Sequence, residues 1–94
     1  MSEPTLTVTV AIPTYKRGEM LRQTLAGLVH QDYPRTLFEI RVVDNNSGDD
    51  TPEIVASFAG SPHPPRYLLE TQQGANHARN RAIREARGEI IIFG

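Results

Sequence analysis

The sequence has no cysteine among its 94 residues, which excludes disulfides and thiolate metal sites. It also lacks an excess of either charge: ten Lys and Arg against eleven Asp and Glu leave a formal net charge of -1. A bulk electrostatic grip on nucleic acid normally demands a clear basic surplus, so no nucleic-acid partner is expected. No apolar run approaches the roughly 18 residues of a membrane span. The polar opening Met1-Ser2-Glu3-Pro4 does not read as a signal peptide. Internal repeats and low-complexity tracts are missing too. With 38% hydrophobic and 22% charged residues, a single small cytoplasmic domain is the simplest expectation.

What is present is an alternation of two kinds of hydrophobic pattern. Leu6 to Pro13 is short and β-branched and predicts a first strand. Glu19 to Gln31 carries Leu21, Leu25, Leu28 and Val29 at helical spacing, and Asp32-Tyr33-Pro34 should end that helix. Phe38 to Asp44 predicts a second strand that closes on a carboxylate. Asn45 to Asp50 is turn chemistry, and Thr51-Pro52 offers a cap and a first-turn proline for a short helix containing Ile54, Val55 and Phe58. Gly60 to Pro65 can only be a loop. Arg66 to Glu70 predicts a third strand, Ala75 to Arg87 a helix stopped at Gly88, and Glu89 to Phe93 a buried fourth strand. Strand and helix in alternation imply an α/β fold: a mostly parallel four-stranded sheet with right-handed crossovers and helices on both faces. Ligands of such sheets bind outside the carboxyl ends of the strands, so the segments after each strand matter most.

The first of these segments, Pro13-Thr14-Tyr15-Lys16-Arg17-Gly18, has neither the glycines of a dinucleotide fingerprint nor those of a P-loop. It offers a rigid bend, a hydroxyl, an aromatic ring and two cations, which suits one wall of a nucleoside site and equally suits an ordinary turn that caps the next helix. Asp44 can accept a hydrogen bond from a base N–H or a ribose hydroxyl, or serve as a turn-forming Asp. Asp49 and Asp50 read as cap and turn residues. On a helical wheel Arg79 falls within the stripe of Ala75, Ala78, Ala82, Ile83 and Ala86. A guanidinium on a packing face calls for an anionic or hydrogen-bonding ligand, or else for a carboxylate such as Asp44 or Glu70. Arg81, Arg84 and Arg87 read as a solvated face with an Arg81–Glu85 pair. His30, His63 and His77 share no metal-ligand spacing and read as surface or packing residues.

Taken together, these segments resemble a known family. Val10 to Arg17 is similar to the V-x-I-P-T-Y-N-R opening of family-2 glycosyltransferases, with Lys16 in place of Asn. Val42 to Thr51 resembles V-V-D-[DN]-[GN]-S-x-D-x-T, Gly74 to Ala82 resembles G-x-x-x-A-R-N-x-A, and Ala86 to Phe93 resembles the strand that leads into the family's D-x-D. The resemblance implies a partial GT-A (Rossmann-like) fold. It also implies that residues 1–94 are the amino-terminal nucleotide-sugar-binding part of such a domain, with the metal-binding D-x-D expected just after Gly94. Pro13 and Tyr15 would flank the base, Asp44 would take the base N–H and Arg79 would reach the nucleotide. Thr14, Arg17, Asn46 and Gly74 complete the set as members of the same motifs.

By the same resemblance, the complete enzyme would use Mg²⁺ or Mn²⁺ to move a sugar, with inversion, from a UDP-, GDP- or dTDP-sugar to an acceptor hydroxyl. No metal ligand and no catalytic residue is assigned within these residues, the acceptor is unknown, and the chain alone is expected to be inactive. The exposed edge of a terminal strand would favour self-association. From a different class, the sheet could serve as a non-catalytic nucleotide-binding or interaction module. A basic-helix nucleic-acid binder using Arg81, Arg84 and Arg87 is disfavoured by the charge balance.

Overall fold

A computed structural model describes residues 8–30, 38–88 and 90–93 of the chain, apart from the side chain of Phe38. Four strands and three helices alternate: β1 (Val8–Thr14), α1 (Gly18–Leu28), β2 (Phe38–Asp44), α2 (Thr51–Ala56), β3 (Arg66–Leu69), α3 (Ala75–Glu85) and β4 (Ile90–Phe93). The strands lie in the order β3-β2-β1-β4, and every pairing is parallel. Thr14 is in register with Asp44, and Asp44 with Leu69, so three strands end at one level.

Alternation along the strands divides the interior into two layers. Val10, Ile12, Ile40 and Val42 pack with Leu21, Leu25 and Val29 from the α1 segment and with Ile54 and Val55 of α2. The opposite layer is thinner: Ala11, Val43 and Leu68 meet Ala78 and Ala82 of α3, with Ile91 alongside. Two alanines facing an alanine allow α3 to lie close to the sheet. Burial on both faces explains why consecutive strand residues are apolar near the middle of the sheet, Val10, Ala11 and Ile12 in β1 and Val42 and Val43 in β2.

The amino-terminal end of the α3 face is polar. The Thr9 hydroxyl donates to Glu39 Oε2, which also accepts the Arg87 N–H at 2.8 Å, while Arg41 Nη2 lies 2.7 Å from Glu39 Oε1. Arg41 is buried, and desolvation pulls its guanidinium below its ordinary pKa against the opposing pull of Glu39. Gly88 closes the network by donating its N–H to Thr9 Oγ1 at 2.9 Å. The chain leaving α3 is thus fastened to β1 and β2 by hydrogen bonds that no apolar pattern reveals.

Several boundaries differ from expectation. Helix α1 ends at Leu28, with Val29 and His30 in a turn, whereas Leu6, Gln31, the Asp32-Tyr33-Pro34 stop, Glu89 and Gly94 lie outside the described residues. Thr51 is the first residue of α2 rather than its cap: the Asp49 carboxylate accepts the Thr51 N–H at 3.0 Å and its hydroxyl at 2.5 Å. Helix α3 stops at Glu85 because Ala86 turns extended, with ψ 137°. The fourth strand is not buried: Ile90 is 52% exposed, Ile92 51% and Phe93 40%. It is an edge strand, and of its side chains only Ile91 joins the α3 layer.

Two glycines test this packing. A Cβ on Gly88 would lie 2.7 Å from the Thr9 nitrogen and 2.8 Å from the Val8 carbonyl carbon, both rigid backbone. Gly88→Ala should cost roughly 1–3 kcal/mol of stability by overpacking. A Cβ on helical Gly27 meets nothing within 4 Å. Gly27→Ala should therefore stabilise by about 0.5–1 kcal/mol. Urea denaturation of both variants beside the wild type measures the difference, and equal midpoints for the two would contradict the packing at Gly88.

Candidate functional site

The strand order creates a crevice. Connections β1–α1 and β2–α2 leave toward one face of the sheet and β3–α3 toward the other, so the loops part above the carboxyl end of β1. Such a switch point is where open α/β sheets bind ligands. A cavity of about 430 Å³ lies there, lined by Pro13, Thr14, Tyr15, Arg17, Asn45, Gln73, Gly74, Ala75 and Ala78. Its volume falls in the range of small-molecule sites. Pro13, Ala75 and Ala78 supply apolar surface, Tyr15 stands 43% exposed at the rim, and Arg17 is exposed beside it. Lys16 adopts a left-handed backbone (φ 53°) and places its ammonium 5.4 Å from the centroid of the Tyr15 ring.

Beneath the cavity lies a buried hydrogen-bond network. Asp44 is 2% exposed. Its Oδ1 accepts the Ser47 N–H at 3.0 Å and the Ser47 hydroxyl at 2.6 Å, and its Oδ2 accepts the Tyr67 hydroxyl at 2.6 Å. Ser47 Oγ in turn accepts the Lys16 N–H at 2.8 Å, which ties the β1–α1 loop to the end of β2. Burial, followed by the hydrogen bond to Asp44 and that residue's charge, raises the Tyr67 pKa well above its ordinary value, so Tyr67 stays a donor at any physiological pH.

Asn45 ties the end of β2 to β1 through its backbone and to the 70–74 segment through its side chain. Its backbone N–H donates to Thr14 O at 2.9 Å. Its Nδ2 donates to Gln72 O at 2.8 Å and Glu70 O at 3.3 Å, and its Oδ1 accepts the Gly74 N–H at 2.8 Å. The Glu70 N–H also reaches Asp44 O at 2.8 Å. Across the rim, Gln73 Nε2 donates to Asn46 O at 3.3 Å.

Five of the eight residues singled out from the sequence, Pro13, Thr14, Tyr15, Arg17 and Gly74, therefore line one cavity. Asp44 lies below it with both oxygens engaged, and Asn46 is exposed in a left-handed conformation (φ 64°) with its carbonyl turned to Gln73. The placement of Arg79 on the packing face is corrected: Arg79 is exposed, and its guanidinium carbon lies 5.3 Å from the centroid of the Phe93 ring. The inward face of α3 is centred between Ala78 and Ala82, roughly 80° from Arg79 at about 100° per residue. Arg81 is instead the half-buried arginine, donating to Leu69 O at 3.0 Å and pairing with Glu85 at 3.2 Å as expected. The Glu70 carboxylate weighed as a partner for Arg79 lies 3.8 Å from both Arg81 and Arg84.

Sequence reasoning missed Asn45, Gln73, Ala75 and Ala78 as lining residues. The one available signal for Asn45 was its place beside the strand-terminal Asp44. His63 is buried, as a packing residue would be, and His30 and His77 are exposed. Among the described residues no group of three or more His, Asp or Glu could hold a metal ion. The D-x-D expected just after Gly94 falls outside them, since the described part of β4 closes at Phe93. No helix among the described residues is long and apolar enough to cross a membrane.

Comparison with known proteins gives this geometry a context. The model of "Glycosyl transferase family 2" matches residues 9–93. Glycosyltransferase AglE of Haloferax volcanii is 38% identical over 87 residues, covering 92% of this chain and 29% of its own length. The poly(ribitol-phosphate) β-N-acetylglucosaminyltransferase TarS of Staphylococcus aureus is 36% identical over 85 residues, 15% of its length. The crystal structure of S. aureus TarS 1-349 in complex with UDP superposes with a TM-score of 0.81 at 32% identity, over 95% of this chain and 27% of that one. The mannosyltransferase PcManGT from Pyrobaculum calidifontis, in complex with GDP-Man and Mn²⁺, superposes with a TM-score of 0.78 at 40% identity, over the same shares. The chain thus spans less than a third of the length of these relatives, and its parallel sheet and layered helices match their GT-A fold. A motif series running in order from Val10 to Phe93, a cavity at the switch point and a family match over residues 9–93 converge: this chain belongs to glycosyl transferase family 2.

Proposed function

We propose that residues 1–94 form the nucleoside-recognising, amino-terminal part of an inverting glycosyltransferase that moves a sugar from a nucleotide-diphosphate donor to an acceptor hydroxyl. The observation that carries this reading is the cavity walled by Pro13, Tyr15 and Arg17 on one side and by Gly74, Ala75 and Ala78 on the other. Its mixture of an aromatic ring, an apolar floor and a cation suits a base with its ribose. Solved neighbours hold UDP, UDP-GlcNAc or GDP-Man, which supports a nucleotide-sugar as the donor class. The β-linkage in the name of TarS fits inversion at an α-linked donor.

In this reading Pro13 and Tyr15 flank the base, and Thr14 and Arg17 offer it a hydroxyl and a charge. Asp44 contributes buried negative charge beneath base or ribose donors, and Asn46 holds the rim through Gln73. Arg79 reaches the nucleotide by leaving the Phe93 ring. A neighbour containing Mn²⁺ favours a divalent ion in the complete enzyme, held by carboxylates that follow Gly94. The described residues do not fit such an ion, since no group of three or more His, Asp or Glu among them could hold it. The absence of cysteine and of a long apolar run supports a cytoplasmic setting.

Four outcomes are expected. Calorimetry with UDP, GDP and dTDP, with and without Mn²⁺, should show at least one nucleotide bound by the chain. Tyr15→Ala should weaken that binding by about 5- to 100-fold through lost base stacking. If no nucleotide binds, the nucleoside reading fails and the sheet is better read as an interaction module. Glycosyl transfer by the 94 residues alone should be undetectable in a radiolabelled-donor assay, and metal-dependent product would refute the assignment of the chain as a part. The edge strand exposing Ile90, Ile92 and Phe93 should drive concentration-dependent self-association in sedimentation. A clean monomer at high concentration would count against that edge.

A further inference from the structure

We propose that Asn45 is the positioning residue of this cavity: its carboxamide latches the 70–74 segment to the ends of β1 and β2 and thereby sets the wall formed by Gly74 and α3. The inference rests on reading the cavity as the nucleoside site, but the latch itself is visible without a ligand. Asn45 is 6% exposed, so its amide must find its partners within the protein. It does so on one segment only, accepting from Gly74 N–H while donating to Gln72 O and Glu70 O. Only a carboxamide of this length has an acceptor on one arm and two donors on the other.

The consequence reaches the cavity through Gly74. Its backbone sits at φ 132° and ψ 138°, a region that side-chain-bearing residues rarely adopt. The bond from its N–H to Asn45 holds it there. Its carbonyl then accepts the N–H groups of His77 at 3.1 Å and Ala78 at 3.3 Å, starting the first turn of α3. The latch therefore fixes where α3 begins, and with it the positions of Ala75 and Ala78 on the cavity surface.

The test is amide exchange at Gly74 in the ligand-free chain, measured by NMR for the wild type, Asn45→Ala and Asn45→Asp. Wild-type Gly74 should exchange about tenfold more slowly than in Asn45→Ala. In Asn45→Asp, an un-ionised carboxyl can still accept from Gly74 and donate to Gln72 O. An ionised one has no donor and sets a charge against two carbonyl oxygens. Both forms keep the acceptor for the Gly74 N–H, so Asn45→Asp should protect Gly74 more than Asn45→Ala does. Its protection, taken relative to free-chain exchange at each pH, should fall part of the way as the carboxyl ionises against Gln72 O and Glu70 O, with a midpoint higher than the ordinary Asp value of about 3.9. The other ionisable groups around this site are Asp44 on β2, Lys16 and Arg17 after β1, Tyr67 on β3, Glu70 with its partners Arg81 and Arg84, and His77 on α3. The wild type carries all of them and is the control for their titration.

Equal Gly74 protection in the wild type and Asn45→Ala, or a Gly74 protection in Asn45→Asp that does not change with pH, overturns the latch. If Asn45→Ala does not fold, the pH profile of Asn45→Asp decides alone. Nucleotide titration of the same proteins separates the two readings. A protected Gly74 with no nucleotide bound keeps the latch and refutes the nucleoside site. Nucleotide affinity in Asn45→Asp that falls along the same pH profile supports both.

Discussion

Parallel sheets end in a row of strand termini whose backbone groups lose their ladder partners at one level, and here Asp44 and Asn45 meet that demand. The two residues sit where the β1–β2 ladder closes. From there they reach the end of β1, the exit of β3 and the loop that starts α3. A buried polar group without partners costs on the order of 1–3 kcal/mol. Asp44 takes three donors from Ser47 and Tyr67, and Asn45 uses both arms of its amide. The loops around the cavity are consequently held by side-chain bonds from one short segment of the chain. Without these bonds the switch point would be a gap between mobile loops rather than a shaped concavity.

The opposite end of the sheet solves a different problem with similar means. There Glu39 and Arg41 lie on the α3 face, joined to Thr9, Arg87 and Gly88. Replacing such an ion pair by apolar side chains is often neutral or stabilising, whereas removing one partner costs roughly 3–5 kcal/mol. Its value is therefore specificity of arrangement: it fixes where the chain crosses back from α3 into β4. Helix α3 is pinned at both ends by polar contacts, Gly74 at its start and Gly88 after its end, while only Ala78 and Ala82 bury apolar surface along its middle. A helix with so small an apolar stripe depends on its termini for its position.

That dependence also explains which parts of the structure were legible in the sequence. Strand β2 was read to the residue, and β1, β3 and α3 within a few, because alternation and Gly88 are strong local signals. Membership of the family and five of the cavity residues followed from motifs that keep their order along the chain. The rotation of α3 was misread because alanines are weak markers of phase. Ala75 and Ala86 fit the wheel as well as Ala78 and Ala82 do, and Arg79 was carried inward with them. The burial of β4 was misjudged for a related reason. Its run of isoleucines resembles an internal strand covered on both faces, whereas the exposed edge expected of a terminal strand is what β4 presents. Asn45 was passed over because its partners are 25 to 29 residues away, beyond any local pattern.

The division of labour between rigid and exposed groups bears on what the site can do. The groups that define its shape, Asn45, Thr14, Ala78 and the backbone of Gly74, are buried or locked by hydrogen bonds. Those that carry charge or an aromatic face, Tyr15, Lys16 and Arg17, stand at the rim in solvent. Binding a flat, partly apolar ligand between them costs little reorganisation of the walls and orders only a few rim side chains. Chemistry at a transferred group would demand more: a positioned base and charge stabilisation at the reacting centre. None of the residues that line this cavity is a carboxylate, and Asp44 beneath it is committed to Ser47 and Tyr67. Under the proposed function the concavity therefore serves recognition, with its walls fixed in advance and its charged and aromatic groups at the rim.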